Sequence, residues 1–240
     1  MKVRILYLYP DYMNLYGDNG NVRILERRLR DQGFEVEIVS GTVTDPKISI
    51  KDVDFVYMGS GYESNRNMAA DHLKRSLNEL TEAIDEGVPM LFTGNSYDIL
   101  GKGIITSDFS LVEGLGIFDY TFKDSIKKRF TGDVVLEDPV SKERYVGFVN
   151  RAGTAEEEDG FAFDVIKVIG EVPIEKDGIR KNNLLGISLI GPVLVKNPAL
   201  ADSFVRTVCS RKGVQFKKVV YPRSERSHEK TLKALMEAEA

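Results

Sequence analysis

Two hydrophobic rhythms alternate along the first half of the chain. Residues 3–9 form an apolar run broken only by Arg4, which predicts a buried strand. Residues 21–32 place Val22, Leu25 and Leu29 on one helical face and arginines on the other. Asn19 or Asn21 can cap that helix, Gly20 allows the turn, and Gly33 ends it. Residues 35–40 and 54–58 predict two more strands. Residues 69–86 predict a helix with Leu73, Leu77, Leu80 and Ile84 as its apolar stripe, closed by Gly87, and residues 89–93 predict a fourth strand. This order argues for an α/β fold, a parallel sheet covered by helices. In such sheets the site lies outside the carboxyl ends of the strands. The turns over residues 10–21, 59–66 and 94–97 should converge there.

The second half changes rhythm. Residues 118–122, 129–136, 145–150, 165–171 and 184–189 are short β-like runs between charged or glycine-containing turns. Residues 153–161, with the acidic run Glu156-Glu157-Glu158-Asp159, predict an exposed loop. Residues 198–212 predict a helix containing Cys209, and residues 225–239 a last helix with Leu232, Leu235 and Met236 on one side. No repeat or low-complexity linker divides the chain. The expectation is one domain over residues 1–240, with additional strands and a C-terminal helical extension over about residues 222–240.

Composition narrows the function. The 240 residues carry a net charge of −4, so no global basic field favours nucleic acid. The stretch from Lys217-Lys218 to Arg226 is locally basic but includes Glu225, with Glu229 just beyond, and reads as solvated surface. A single cysteine excludes an intrachain disulfide and suits a reducing cytoplasm. The N-terminal apolar run is too short and too soon charged for a signal peptide, and no stretch approaches the roughly 20 apolar residues of a membrane span.

The chemistry is concentrated in residues 88–101, a buried strand, a sharp turn and the expected start of a helix. Such elbows often present a nucleophile at the turn. Here the turn residue is Gly94, which tolerates the positive φ of an elbow and brings no reactive atom. Ser96 lies in only part of a G-x-S-x-G pattern and is expected to cap a helix beginning at Tyr97. Gly59-Ser60-Gly61 follows a strand and offers backbone N–H groups for an oxyanion or phosphate, or is a plain tight turn. His72 and His228 are expected at the surface or as caps, not as bases. Cys209 sits mid-helix among Leu200, Phe204, Val205 and Val208 and reads as a core thiol. Neither a zinc cluster nor a carboxylate cage is spaced into the sequence, and no cofactor is implied. The loop from Tyr9 to Asn21, with Tyr9, Tyr12 and Tyr16, is either a packed loop with an Asx turn or a wall of the sheet-end pocket or a partner surface.

Several of these segments together resemble one family. Tyr9-Pro-Asp-Tyr-Met-Asn-Leu-Tyr-Gly-Asp with Gly20-Asn21-Val22 is close to a family signature. Met58-Gly-Ser-Gly61, Leu115-Gly-Ile-Phe-Asp119, Arg129 with Gly132-Asp133, Gly147-Phe148, Asn150, Gly191-Pro192 and Lys196-Asn-Pro198 are also similar. Residues 3 to about 210 resemble the glutaminase subunits of lipid II isoglutaminyl synthase, in the cobyric-acid-synthase-like branch of class I glutamine amidotransferases. The resemblance implies a flavodoxin-like fold, a cysteine nucleophile at the elbow and a histidine base before a Gly-Pro. It also implies transfer of ammonia to a Mur-ligase-like synthetase that amidates a peptidoglycan precursor. This sequence departs at both catalytic positions: Gly94 stands for the cysteine and Ile190 for the histidine. Asn95 and Ser96 replace the glycines after the nucleophile, Asp98 a glutamine-like position, and Asn150-Arg151 an Asn-His segment.

The expectation is therefore a pseudoenzyme that binds or regulates, with Gly59, Gly61, Gly94, Asn95, Ser96 and Arg129 lining what remains of the pocket. Its expected partner is a Mur-ligase-like synthetase subunit. One alternative is an enzyme using Ser96, Asp98, Glu63 or Arg129 in the same pocket; another is a sensor in which Arg129 holds glutamine or a related ligand.

Overall fold

The computed structural model describes residues 1–125, 128–156 and 160–239. The first half follows the expected alternation. Strand β1 (Lys2–Leu8) leads to helix α1 (Asn19–Asp31), then β2 (Glu35–Gly41) and β3 (Phe55–Met58). Helices α2 (Glu63–Leu73) and α3 (Leu77–Asp85) precede β4 (Met90–Thr93). The second half adds β5 (Gly103–Ile105), β6 (Leu111–Glu113), β7 (Thr121–Asp124), β8 (Phe130–Glu137), β9 (Arg144–Arg151) and β10 (Gly153–Glu156). It continues through β11 (Phe161–Glu171), β12 (Lys176–Lys181), β13 (Leu184–Ile187) and β14 (Leu189–Ile190). It ends in α4 (Val193–Lys196), α5 (Pro198–Arg211) and α6 (Pro222–Glu237).

The large sheet has ten strands in the order β14-β9-β8-β11-β12-β13-β4-β3-β1-β2. Its β13-β4-β3-β1-β2 portion is parallel, and the strands beyond β13 are antiparallel. A second sheet runs β10-β7-β5-β6. Alternation along β1 sends Val3, Ile5 and Tyr7 to one core with α1 and α5, and Leu6 and Leu8 to the other with α2 and α3.

Several expectations are corrected. The helix expected over residues 69–86 starts at Glu63 and breaks at a 3-10 turn, Lys74–Ser76. The break lets the Ser76 hydroxyl donate to the Ile48 carbonyl at 2.7 Å, fastening the segment before β3. No α-helix begins at Tyr97; residues 94–100 form two 3-10 turns. The carbonyls a helix would use are taken by distant donors: Tyr97 O by the Tyr120 hydroxyl, Ile99 O and Leu100 O by the backbone of Leu115 and Ile117. Part of the loop expected over residues 153–161 is strand β10, where Gly153 lets the Lys123 carbonyl approach closer than any side chain would allow; residues 157–159 lie outside those described. The run over residues 184–189 splits at Ser188, where the chain leaves β4 and joins β9. His72 is buried, not superficial: its Nε2–H donates to Asp45 O at 2.7 Å, so Nδ1 accepts from the Tyr9 hydroxyl at 3.0 Å. Cys209 is fully buried, as expected of a core thiol, and His228 lies on exposed α6.

Candidate functional site

The loops after β1, β3 and β4 meet, and the turn after β14 joins them. Neither Asn19 nor Asn21 caps α1; the Asn14 side chain accepts from Asn19 N at 2.8 Å instead. That leaves Asn21 to point inward. Its amide donates to the Tyr57 hydroxyl at 2.8 Å and to Gly191 O at 3.2 Å, and its oxygen accepts from Leu194 N at 2.8 Å. Tyr57 continues the chain to Thr93 at 2.9 Å. One asparagine thus ties the first loop to β3, β4 and the turn after β14.

Asp18, one turn earlier, is fully buried, and its Oδ2 accepts from Ser60 N at 2.6 Å while Oδ1 has no partner among the described residues. Burial pushes its carboxyl up to about 7, against the N–H of Ser60, which favours the charged form. The first loop is therefore both packed and a wall of the site. Asp18 was legible only as part of a strand-exit loop; nothing in the sequence announces its contact with Ser60.

Gly94 has φ +60°, the left-handed value expected of the elbow. A Cβ built there would lie 2.7 Å from Ile190 Cγ2 and 2.7 Å from both Cβ and Oγ of Ser60. The elbow is thus closed as well as bare. Asn95 clamps the neighbouring loop twice: its Oδ1 accepts from Gly61 N at 2.9 Å and its Nδ2 donates to Gly61 O at 2.6 Å. The Ser60 and Gly61 N–H groups are both engaged by side chains, so neither is open to an oxyanion. Ser96 does not cap a helix; its buried hydroxyl faces Met58 O and Thr93 O at 3.0 and 2.8 Å.

Arg129 stands apart from this cluster, on the rim. Its guanidinium donates to Glu63, to Asn150 Oδ1 at 2.7 Å and to Asn150 O at 3.4 Å, and Asn150 Nδ2 reaches the Tyr16 hydroxyl at 2.9 Å. Although burial works against it, Arg129 holds the Glu63 carboxyl below its usual range. A cavity of about 390 Å³ opens beside Arg129, walled by Glu63, Asp124, Ser125 and Lys128 among others; none of Gly59, Gly61, Gly94, Asn95 or Ser96 borders it.

Behind the elbow lies a buried ion network. Arg66 donates to Asp98 at 3.1 Å and to both oxygens of Asp124 at 3.1 and 2.8 Å. Arg151 donates to Asp98 at 3.2 Å and stacks over Tyr97 and Phe122 at 5.1 and 4.8 Å. Burial raises the Asp98 pKa despite Arg151 and Arg66, which pull it down. Among the described residues no group of His, Cys, Asp and Glu is arranged to hold a metal ion, and no helix is long and apolar enough to cross a membrane.

Comparison with known proteins places this geometry. Residues 4–198 match the CobB/CobQ-like glutamine amidotransferase domain. The chain is 34% identical over 216 residues to the lipid II isoglutaminyl synthase (glutamine-hydrolyzing) subunit GatD of Staphylococcus aureus, spanning 90% of this chain and 88% of that protein. It is 27% identical over 226 residues to the corresponding GatD subunit of Streptococcus pneumoniae, spanning 88% and 82%. Among solved structures, PurLQS from Thermotoga maritima superposes with a TM-score of 0.52 at 14% identity, covering 97% of this chain and 100% of that one. A glutamine amidotransferase from Thermotoga maritima gives 0.51 at 15%, covering 98% and 94%. These structures share the class I amidotransferase fold, with mixed sheets covered by helices. The chain belongs to the CobB/CobQ-like glutamine amidotransferase family.

Proposed function

We propose that this chain is a catalytically silent counterpart of the glutaminase subunit of lipid II isoglutaminyl synthase. It would serve in the cytoplasm as a binding or regulatory subunit beside a Mur-ligase-like synthetase. The GatD relatives support the subunit role in lipid II amidation. The silent reading is carried by Gly94, whose Cβ direction is closed by Ile190 and Ser60.

Glutamine hydrolysis on this fold needs a thiolate to attack the carboxamide carbon and an imidazole to activate it and protonate the departing ammonia. Gly94 supplies no sulfur and Ile190 no proton carrier. The tetrahedral oxyanion would also need N–H donors, and those of Ser60 and Gly61 are engaged by Asp18 and Asn95. No observation favours a different catalytic set: Ser96 faces two backbone carbonyls, Asp98 is held by two arginines and Glu63 by Arg129. A carboxylate ligand such as glutamine or glutamate would compete with Glu63 for the Arg129 guanidinium.

Glutamate release by the pure chain, and by the chain with its synthetase, tests the proposal. The expected result is none above background in either case. Robust release that survives controls for contaminating glutaminase overturns it. Gly94→Cys combined with Ile190→His is expected to restore little activity, because the Asn95 clamp and the Asp98–Arg151 pair remain. Calorimetric titration with glutamine and glutamate, repeated on Arg129→Ala, shows whether the rim still takes a ligand.

A further inference from the structure

Helix α6 lies beyond the matched family domain, which ends at residue 198. Its inner face, with Leu232 and Leu235 half-buried, is fastened to the body at both ends and in the middle. Arg28 stacks over Tyr221 at 4.3 Å and the Tyr221 hydroxyl donates to Asp31 at 2.6 Å; His228 Nδ1 donates to Lys196 O at 2.9 Å; Lys167 Nζ donates to Ala238 O at 2.6 Å. The orientation of the outer face is therefore set. At helical spacing that face carries Arg223, Arg226, Ser227 and Lys230 in one exposed row, around a shallow groove of about 270 Å³.

The three cations of the row make no ion pair, hydrogen bond or ring contact among the described residues. Several other exposed cations are paired, Lys2 and Arg4 with Glu37, Lys142 and Arg144 with Glu137, and on α6 itself Lys233 with Glu237. Single ones such as Arg27 and Lys176 are not, among the described residues; the α6 row differs in placing three unpaired cations on one face. The segment from Lys217 to the end holds six Lys or Arg against four Glu, whereas the whole chain has 33 against 37. By the 100° step of the helix Glu225 and Glu229 point off the row, and Glu237, which lies on its C-terminal end, is paired with Lys233, so the three unpaired cations leave the face basic. Val220 and Met236, at the two ends of α6, are exposed apolar residues.

We infer that the outer face of α6 docks on an anionic lipid bilayer. The choice of occupant rests in part on the proposed function, since a complex that amidates a lipid-linked precursor works at a membrane surface, and in part on charge complementarity. Each basic side chain near an anionic surface contributes about a fivefold gain in binding. A row of three suits a weak, reversible and salt-sensitive contact that adds to whatever the substrate itself supplies. The acidic remainder of the chain is repelled by the same surface, which fixes α6 as the side that faces it.

Co-sedimentation of the full chain with vesicles of phosphatidylglycerol and phosphatidylcholine, against phosphatidylcholine alone, tests the inference. The expected result is binding to the anionic vesicles only, abolished at about 0.5 M salt. It should fall roughly tenfold or more in the variant combining Arg223→Gln, Arg226→Gln and Lys230→Gln. These side chains make no ion pair, hydrogen bond or ring contact among the described residues, so the variant is expected to keep its fold, checked by circular dichroism. Lys142→Gln, off α6 in the turn between β8 and β9 and already paired with Glu137, is expected to bind as the unaltered protein does. Absence of sedimentation, equal binding to neutral vesicles, or a triple variant that still binds overturns it. Loss of synthetase co-purification in the triple variant, with vesicle binding unchanged, overturns it in favour of an acidic protein surface. Glutamate release by a chain that still binds vesicles would overturn only the silent-subunit reading, so the two failures are distinct.

Discussion

The elbow at Gly94 and the ion network at Asp98 begin four residues apart and handle burial in opposite ways. The elbow is mostly neutral and closed by short side chains: Ile190 and Ser60 fill the space in front of Gly94, while Asn95 satisfies the neighbouring loop. The network buries guanidinium and carboxylate groups, with Arg66, Asp98 and Arg151 all more than nine-tenths removed from solvent. At the elbow, the departures implied by the family resemblance remove reactive atoms. In the network they introduce charges, and the charges arrive as a pair, Asp98 with Arg151. A turn can do without a reactive atom at no cost to the fold, whereas a buried charge persists only with its partner. The two regions are thus held by different physical constraints.

The largest effect should come from breaking the network. Asp98→Ala leaves Arg66 with Asp124 alone and strips Arg151 of its ion pair with Asp98, and is expected to cost about 3–5 kcal/mol in urea unfolding. The double variant with Arg151→Ala should lose less than the sum of the two single losses, by about 1–3 kcal/mol. Simple additivity would show that the two charges are not coupled.

A smaller effect, of opposite sign to the usual aspartate, is expected where the two regions meet the first loop. Asp18 has a folded pKa of about 7, above its unfolded value of about 3.9. The folded state therefore binds the extra proton between those values, and stability falls as pH rises through that window. Unfolding followed from pH 5 to pH 8 should show the chain losing about 3 kcal/mol relative to Asp18→Asn, whose amide oxygen can still accept from Ser60 N. Parallel profiles would mean that Asp18 titrates normally and that the loops are looser than described.

The legible parts of this molecule are those whose partners lie close in sequence or repeat at a fixed period. The parallel strands, α1 and the positive φ of Gly94 follow from runs, spacing and a glycine at a strand exit. Strand β12, Lys-Asp-Gly-Ile-Arg-Lys, has no such pattern; it is a strand because β11 and β13 pair with it. The helix expected at Tyr97 is lost to acceptor competition from residues 115–120, and His72 is buried because Tyr9 lies 63 residues away in sequence and Asp45 27. At the site, the closed space at Gly94 was half visible: Ile190 could be aligned with it through the family resemblance, while the clamp of Asn95 on Gly61 and the grip of Asp18 on Ser60 depend on loops 34 and 42 residues apart.

Filling the elbow sharpens its contrast with the network. Gly94→Ala puts a Cβ at φ +60° against Ile190 and Ser60, and should cost about 2 kcal/mol from backbone strain and crowding together. Adding Ile190→Ala, judged against Ile190→Ala alone, should relieve the part of the crowding that Ile190 causes but neither the contact with Ser60 nor the strain. Full recovery would show that crowding by Ile190 was the whole cost, and no recovery that Ser60 and the strain carry it.

The smallest effect belongs to the rim, where Glu63 meets Arg129 in the open. Both side chains are more than a third exposed or close to it, at 46% for Arg129 and 34% for Glu63, so solvent screens the pair and Glu63→Gln should change stability by no more than about 1 kcal/mol. The sign still discriminates. The Glu63 pKa is lowered in the fold, so its contribution is present above the unfolded value and is lost as pH falls through the folded one, the reverse of Asp18. Glu63→Gln should therefore narrow the difference from the parent chain as pH drops, while Asp18→Asn narrows it over the same direction for the opposite reason, through relief of a penalty. A Glu63→Gln loss as large as that of Asp98→Ala would mean that the rim is part of the buried network and that the two regions are one.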